Sequence, residues 1–467
     1  MESAAEVAGY QANMSPIDFE VDLPRLPLSG VLPEGLEGML VRNGPNPLYP
    51  DPAEHWFTGS GMVHRFAFAN GEVSYSNRWV RTRRWFGESS AGKNLGTGFV
   101  PVEHAADAAP DGAANTNVLL HAGQLMALEE AHPPVALDPE TLSTRGALDF
   151  GGRLNGAFTA HPKADPDSGE LVFFSYGAPD GLSAGISVGS VDARGVVSRI
   201  ERFEAPYASM IHDFMVTAHH VLVPVLPLTA SMERAQAGLP PFAWEPERGA
   251  FVGVICRDDG VSSLEWWRGP TCFVYHVMNA WEDDGCIHAD VMQFDAPPNF
   301  PWPDGRPIDN AGPARLCRWT FDLTNPEKVF TQQRLSDVAG EFPRIDDRYA
   351  GKPYRHGWLA GHSGEKGGTF AQIVHIDHLQ SRHDIYALDA GDSTSEPVFV
   401  PRADDAPEGD GWILAVVYRG AGKRSDLLVF EALNVAAGPL ATISLPHRVP
   451  NGFHGNWVAA RDLARHG

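Results

Sequence analysis

The sequence predicts an all-β fold, and three observations carry that prediction. Short runs rich in Val, Ile, Phe, Tyr and Trp recur along most of the chain. Turn residues punctuate them: 48 Gly and 38 Pro in 467 residues, roughly 10% and 8% against about 7% and 5% in average proteins. Sustained apolar periodicity at 3.6 residues is scarce. The runs at 118–127, L-V-F-F-S-Y at 171–176, H-V-L-V-P-V-L at 220–226 and F-V-G-V-I-C at 251–256 are apolar enough to be strands buried on both faces. Those at 274–281, 286–294 and 315–322 mix or alternate apolar and polar residues, as half-buried strands do. The series ends with 384–389, 412–418 and 425–433. Only 230–238 and the tail 457–464 read as short helices.

No linker or low-complexity tract divides the chain, so a single domain over 1–467 is expected, with 1–20 a flexible N-terminal extension. Residues 296–313, rich in Pro and Asp, read as a long surface loop. A propeller of four-stranded blades would use the whole length, but no WD or Kelch signature and no clean repeat period is present.

Composition narrows the function classes. With 36 Lys plus Arg against 59 Asp plus Glu, the net charge is −23, which argues against a nucleic-acid partner and against a polybasic membrane anchor. The N-terminus M-E-S-A-A-E-V-A-G-Y has no basic and then apolar signal-peptide pattern, and no apolar run approaches a membrane span. Four cysteines, none spaced C-x-x-C, fit a reducing cytoplasm and exclude a disulfide scaffold or zinc ribbon.

Four of the 19 histidines occupy unusual settings. His161 lies in T-A-H-P-K, His212 in M-I-H-D-F, His276 in V-Y-H-V-M-N-A-W-E and His454 in G-F-H-G-N-W. Each adjoins apolar residues that would bury the imidazole, and a buried ring needs a partner for each nitrogen. By themselves they fit four unrelated core histidines as well as one converging set.

These motifs stand in an ordered series: G-x-L-P-x-G-L-x-G and R-N-G-P-N-P within 30–47, H-W-F-T-G-S-G-M-V-H at 55–64, N-T-N at 115–117, A-L-E-E at 127–130, A-H-P-K at 160–163, H-D-F at 212–214, H-V-M-N-A-W-E at 276–282, E-F-P-R-I at 341–345, S-E-P-V-F-V-P at 395–401 and F-H-G at 453–455. In this series the chain resembles the carotenoid cleavage oxygenase family, which also contains stilbene- and phenylpropenoid-cleaving dioxygenases. The resemblance implies a seven-bladed β-propeller and one iron(II) per chain, bound by His161, His212, His276 and His454. It implies that Glu130 holds His212, Glu341 holds His276 and Glu396 holds His454, with no glutamate assigned to His161. Thr116 matches a threonine over an open iron position. Neutral imidazoles suit iron, and a carboxylate on the far N–H fixes each ring's tautomer. A structural zinc site would close at four ligands and usually recruit cysteine.

Two departures bear on the substrate. Thr58 and Ser60 replace the acids of the family's D-G-D-G-M, which reads as a harmless turn change. Glu129 stands where stilbene and phenylpropenoid cleavers resemble one another in carrying Lys or Arg. A carboxylate opposes a phenolate, and beside Glu130 in a desolvated pocket one of the two is expected to stay protonated. The R-N-G-P-N-P and H-W-F signatures also look more like the carotenoid branch. The expected activity is therefore non-haem iron(II) dioxygenase cleavage of a C=C bond of a carotenoid or apocarotenoid to two carbonyl products, with an apolar conjugated substrate and molecular oxygen as partners. The alternatives are cleavage of an aryl alkene (stilbene, isoeugenol or vinylphenol type) on the same site and, further off, a non-catalytic lipid-binding propeller. The segment 221–244 offers either a tunnel mouth dipping into lipid, giving peripheral membrane contact, or a packed strand and loop.

Overall fold

The computed structural model describes residues 11–52, 54–95, 112–154, 156–177, 181–309, 311–364 and 369–464. Among these the chain is mostly antiparallel β, and it divides into two compact units: Met1–Phe158 with Asp384–Gly467, and Thr159–His383. Residues 11–20, expected as a flexible extension, are held in place. Asn13 donates to the Val449 carbonyl at 3.0 Å and to Asn451 Oδ1 at 2.7 Å, and Ile17 exchanges two hydrogen bonds with the Asn46 side chain. Residues 1–10 lie outside the described residues.

In the first unit, Gly38–Pro45 lies between Gly61–Ala69 and the C-terminal strand Gly455–Ala459, with Arg42 opposite both His64 and Gly455. A second sheet is the meander Asn117–His121, Gln124–Leu128, Val135–Leu137 and Thr144–Ala147. The run expected as one strand over 118–127 is thus a hairpin. It turns at Ala122 and Gly123, with φ of 47° and 76°, the left-handed pair a two-residue hairpin turn requires. The third sheet joins Leu28–Gly30, near the N-terminus, to Ala441–Ser444, Arg424–Glu431, Gly411–Arg419 and Ser393–Thr394. Its inner face, with Leu414, Val416, Leu427, Val429 and Ile443, packs with Leu40, Phe66 and Tyr75 in one cluster. Each such side chain, taken fully out of water, contributes roughly 1.5–3 kcal/mol. The helix Arg83–Ala91, capped by Thr82, was not anticipated; its polar composition hides the period.

The second unit repeats the four-stranded meander in Lys163–Ala164, Leu171–Tyr176, Gly185–Val191 and Val197–Glu204, and again in Met215–Val216, His220–Val225, Ala250–Cys256 and Glu265–Gly269. A seven-stranded sheet follows, from Phe273–Asp283 to Arg382–Ala387, in which the long strand Thr331–Ile345 is shared by two successive meanders. Within 221–244 the two ends are packed, while Met232 and Leu239 between them are exposed. Val221–Val225 and Phe242–Trp244 are buried, and a short hairpin of Leu228–Ala230 and Phe242–Trp244 brackets the helix Met232–Gln236. No helix among the described residues is long and apolar enough to cross a membrane, and no described sheet closes on itself.

Candidate metal centre

Three imidazoles converge within the second unit. His161 sits in the bend entering Lys163–Ala164, its N–H on Thr159 Oγ1 at 2.9 Å. His212 sits in the irregular stretch before Met215–Val216, and His276 on the strand Phe273–Asp283. The Nε2 atoms of His161 and His212 are 3.0 Å apart, those of His212 and His276 are 3.1 Å apart, and the candidate ligand atoms of all three lie within 4.8 Å of one another. Protons alone are a poor fit for this grouping, because His212 Nε2 meets two like atoms and can bear only one hydrogen or one lone pair. A cation that takes one lone pair from each ring fits it, and neutral imidazole donors suit a first-row transition metal.

Two β-bulges aim this group. The pairing of Phe273–Asp283 with Cys286–Phe294 slips on either side of Val277, so the strand kinks where His276 must face inward. The pairing of Thr331–Ile345 slips between Glu341 and Arg344, with Phe342 at φ 56°, a strained backbone for a bulky residue. That kink turns Glu341 onto His276: its Oε2 accepts from His276 Nδ1 at 2.5 Å and from the Phe342 N–H at 2.7 Å, while the Phe342 ring stacks on His276. An ionised carboxylate only accepts, so Nδ1 carries the proton and Nε2 the lone pair.

His454, in the first unit, shows the same arrangement. Glu396 is buried in the irregular link before Val398–Pro401, and its Oε1 accepts from His454 Nδ1 at 3.0 Å while Oε2 accepts from the Gly455 N–H at 2.9 Å. Glycine is required at 455: a Cβ there would stand 2.6 Å from the Val41 carbonyl and 2.7 Å from Arg42 Cγ. Arg42 is itself buried; burial pushes its guanidinium down to about 10, against the pull of Glu396 and Tyr75, so it stays cationic beside Glu396 at neutral pH. The His454 N–H donates to the Thr116 carbonyl at 3.1 Å, and the Thr116 hydroxyl donates to Asn115 Oδ1 at 3.0 Å. The neighbouring Phe453 ring packs edge-on against Trp56 and Phe57, at 4.7 and 5.4 Å.

The structure thus brings together His161, His212, His276 and Glu341 in one unit, and Thr116, Glu396 and His454 in the other. Glu130 is half-buried just beyond Gln124–Leu128. Of Glu129 and Glu130, one of which was expected to stay protonated, Glu129 is not that one. Burial pushes that carboxyl up, but the hydrogen-bonded His132, the Ala113 N–H at 2.9 Å and the charge of Arg84 outweigh it and hold it below the usual range. Sequence reasoning passed over His132, Arg42, Phe342 and Asp213. The last three stand inside quoted motifs, but their roles depend on backbone contacts that a motif does not display.

The family described as retinal pigment epithelial membrane protein matches residues 14–459. The chain is 36% identical to lignostilbene-alpha,beta-dioxygenase isozyme III of Sphingomonas paucimobilis, over 98% of each chain. It is 35% identical to isoeugenol monooxygenase of Pseudomonas nitroreducens, over 95% of this chain and 96% of that one. Among solved structures it is similar to the lignostilbene dioxygenase of Pseudomonas brassicacearum, with a TM-score of 0.92 and 34% identity over 97% of this chain and 99% of that one. Cobalt-substituted Synechocystis apocarotenoid oxygenase gives 0.86 and 28%, over 96% and 97%.

Proposed function

Since the chain belongs to the carotenoid cleavage oxygenase family and is an oxygenase of that type, using molecular oxygen on a C=C bond, we propose that its substrate is an aryl alkene of the stilbene, isoeugenol or vinylphenol kind, cleaved to two carbonyl products. One observation carries the substrate reading: the full-length relatives at 36% and 35% identity are named for lignostilbene and isoeugenol, and the lignostilbene dioxygenase superposes better than the apocarotenoid oxygenase, 0.92 against 0.86. This reverses the carotenoid preference drawn from Glu129 and from the R-N-G-P-N-P and H-W-F signatures. The Glu129 part of it assumed a bare carboxylate, whereas Glu129 is hydrogen-bonded to His132 and feels the charge of Arg84.

We assign His161, His212, His276 and His454 as ligands of one iron(II) per chain, on a seven-bladed propeller built from the recurring meanders. Bound iron(II) supplies activation of dioxygen and a point of attachment beside the alkene. The chain's residues supply the rest. Glu341 and Glu396 keep the protons of His276 and His454 on Nδ1, so both rings present Nε2. Glu130 is assigned the same service for His212. Thr116, tied to Asn115 and to the His454 backbone, is assigned to border an open iron position and limit what enters it. The Trp56, Phe57 and Phe453 rings offer flat apolar faces suited to an aryl group.

The test is iron content of the purified chain, then oxygen uptake and product mass with isoeugenol, resveratrol and an apocarotenoid. The expected result is one iron per chain and a higher kcat/KM on the aryl alkenes. Cleavage of the polyene alone would overturn the substrate reading.

A further inference from the structure

The residues that follow three of the assigned ligands are tied to one another through one carboxylate. Asp213 follows His212 directly, Val277 follows His276 directly, and Lys163 follows His161 across Pro162. Asp213 Oδ1 meets Lys163 Nζ at 2.6 Å and accepts the Phe214 N–H at 2.8 Å; Oδ2 accepts the Val277 N–H at 2.9 Å. The Asp213 side chain is 2% exposed and that of Lys163 is 26% exposed, so the anion is deeply buried and its cation reaches it from nearer the surface.

The chemistry of this contact is specific. Val277 lies opposite Val291 between two register slips, and its buried N–H, which needs an acceptor, finds one in Asp213. A carboxylate has enough lone pairs for all three donors, while a serine or an amide does not. Burying a carboxylate this deeply costs less with a cation against it, which Lys163 provides. Pro162 restricts the backbone between Lys163 and His161, so fixing the lysine also limits where that ring can go.

We propose that Asp213, paired with Lys163, is a positioning residue that holds His161, His212 and His276 in ligating register before any metal arrives, an inference that rests on the metal reading above. Asp213 acts through the backbone that carries the rings. Its effect is therefore on how well a metal is bound and on the shape of the ligand field.

The test uses cobalt(II) as the probe on the whole chain, read by chelator competition and by the visible ligand-field spectrum. Asp213→Asn and Lys163→Met should each weaken cobalt binding by roughly 10–100-fold, the usual effect of losing a partner behind the ligands, and should alter the spectrum. Lys163→Arg should restore both. The comparison is Asp377→Asn, which removes an equally buried carboxylate from its ion pair, with Arg355, in the same unit; it should lower thermal stability and leave cobalt affinity and spectrum unchanged. If Asp213→Asn does not fold, Lys163→Met and its arginine rescue decide the matter. Wild-type affinity and spectrum in the folded variants, or an equal loss in Asp377→Asn, would overturn the inference. A wild-type chain that takes up no cobalt would instead overturn the metal reading, and this inference with it.

Discussion

Glu396→Gln should damage metal binding more than Glu341→Gln, although the two glutamates serve the same kind of histidine. The difference lies in how each carboxylate is used. Glu341 accepts both of its donors, His276 Nδ1 and the Phe342 N–H, on Oε2. A glutamine that places its carbonyl oxygen there keeps both of these hydrogen bonds, loses the charge and puts its NH2 in the buried place of Oε1. A charge-assisted bond is worth about 1.5–3 kcal/mol against about 0.5–1.5 for a neutral one, so the bond to the ligand ring, the one of the two that bears on metal affinity, loses about 1–1.5 kcal/mol, close to tenfold. Glu396 divides its donors: Oε1 takes His454 Nδ1 and Oε2 takes the Gly455 N–H. A glutamine cannot accept at both places. With its oxygen on His454, its NH2 meets the buried Gly455 N–H, and an unsatisfied donor costs a further 1–3 kcal/mol or so. With its oxygen on Gly455, its NH2 faces Nδ1, which must then accept; the ring proton moves to Nε2 and the lone pair assigned to iron is lost. Either way the expected loss is on the order of 100-fold. Chelator competition with iron(II) or cobalt(II), run on folded protein of both variants, measures the ratio. Equal losses, or a larger loss in Glu341→Gln, would refute the reasoning.

Replacing any one of His161, His212, His276 or His454 with Ala should remove most of the iron and the activity; stoichiometric iron in two or more of these variants would sink the ligand assignment. Glu129→Gln weakens the bonds to His132 and the Ala113 N–H, so it should cost about 1–2 kcal/mol of stability yet leave iron content unchanged, and metal analysis beside a denaturant melt would reveal the reverse pattern if Glu129 belonged to the metal site. Acid should weaken the fold through His375, which burial and the neighbouring His356 push down from 6.5 to about 3. The unfolded chain binds that proton more readily, so the stability due to this neutral ring is complete above about pH 6.5 and is lost as the pH falls toward 3. By pH 4.5 the loss is about 2–3 kcal/mol, and His375→Phe should flatten the pH dependence of the urea midpoint over that range; an unchanged slope would show that other groups dominate.

Much of the second unit's strand pattern was legible from local sequence. The runs Leu171–Tyr176, Cys286–Phe294 and Arg315–Asp322 match observed strands residue for residue, because a strand between turns is recorded in consecutive side chains. The hairpin in 118–127 was not legible, since Ala122 adopts a positive φ that its identity does not advertise. The helix Arg83–Ala91 was missed for the opposite reason: with Arg84 bonded to Glu88 and to the Thr58 carbonyl, polar contacts anchor it where an apolar stripe would usually be sought.

For the site, the histidines and glutamates were legible as motifs, since chemistry restricts which residue types can do the work. Three-dimensional pairing determined what each partner contributes. Glu341 reaches His276 across 65 positions and Glu396 reaches His454 across 58, by way of bulges and an irregular link that local preference does not encode. Glu129 shows the limit most plainly. Its identity argued against phenolic substrates and, with its neighbour Glu130, for one protonated carboxyl in the pair, whereas His132, three residues on, and Arg84, far off in sequence, hold the Glu129 carboxyl below the usual range. A side chain's type is set by the sequence alone, but its charge state is set by the partners that folding places around it, because burial and nearby charge act over a few ångströms of space whatever the distance along the chain.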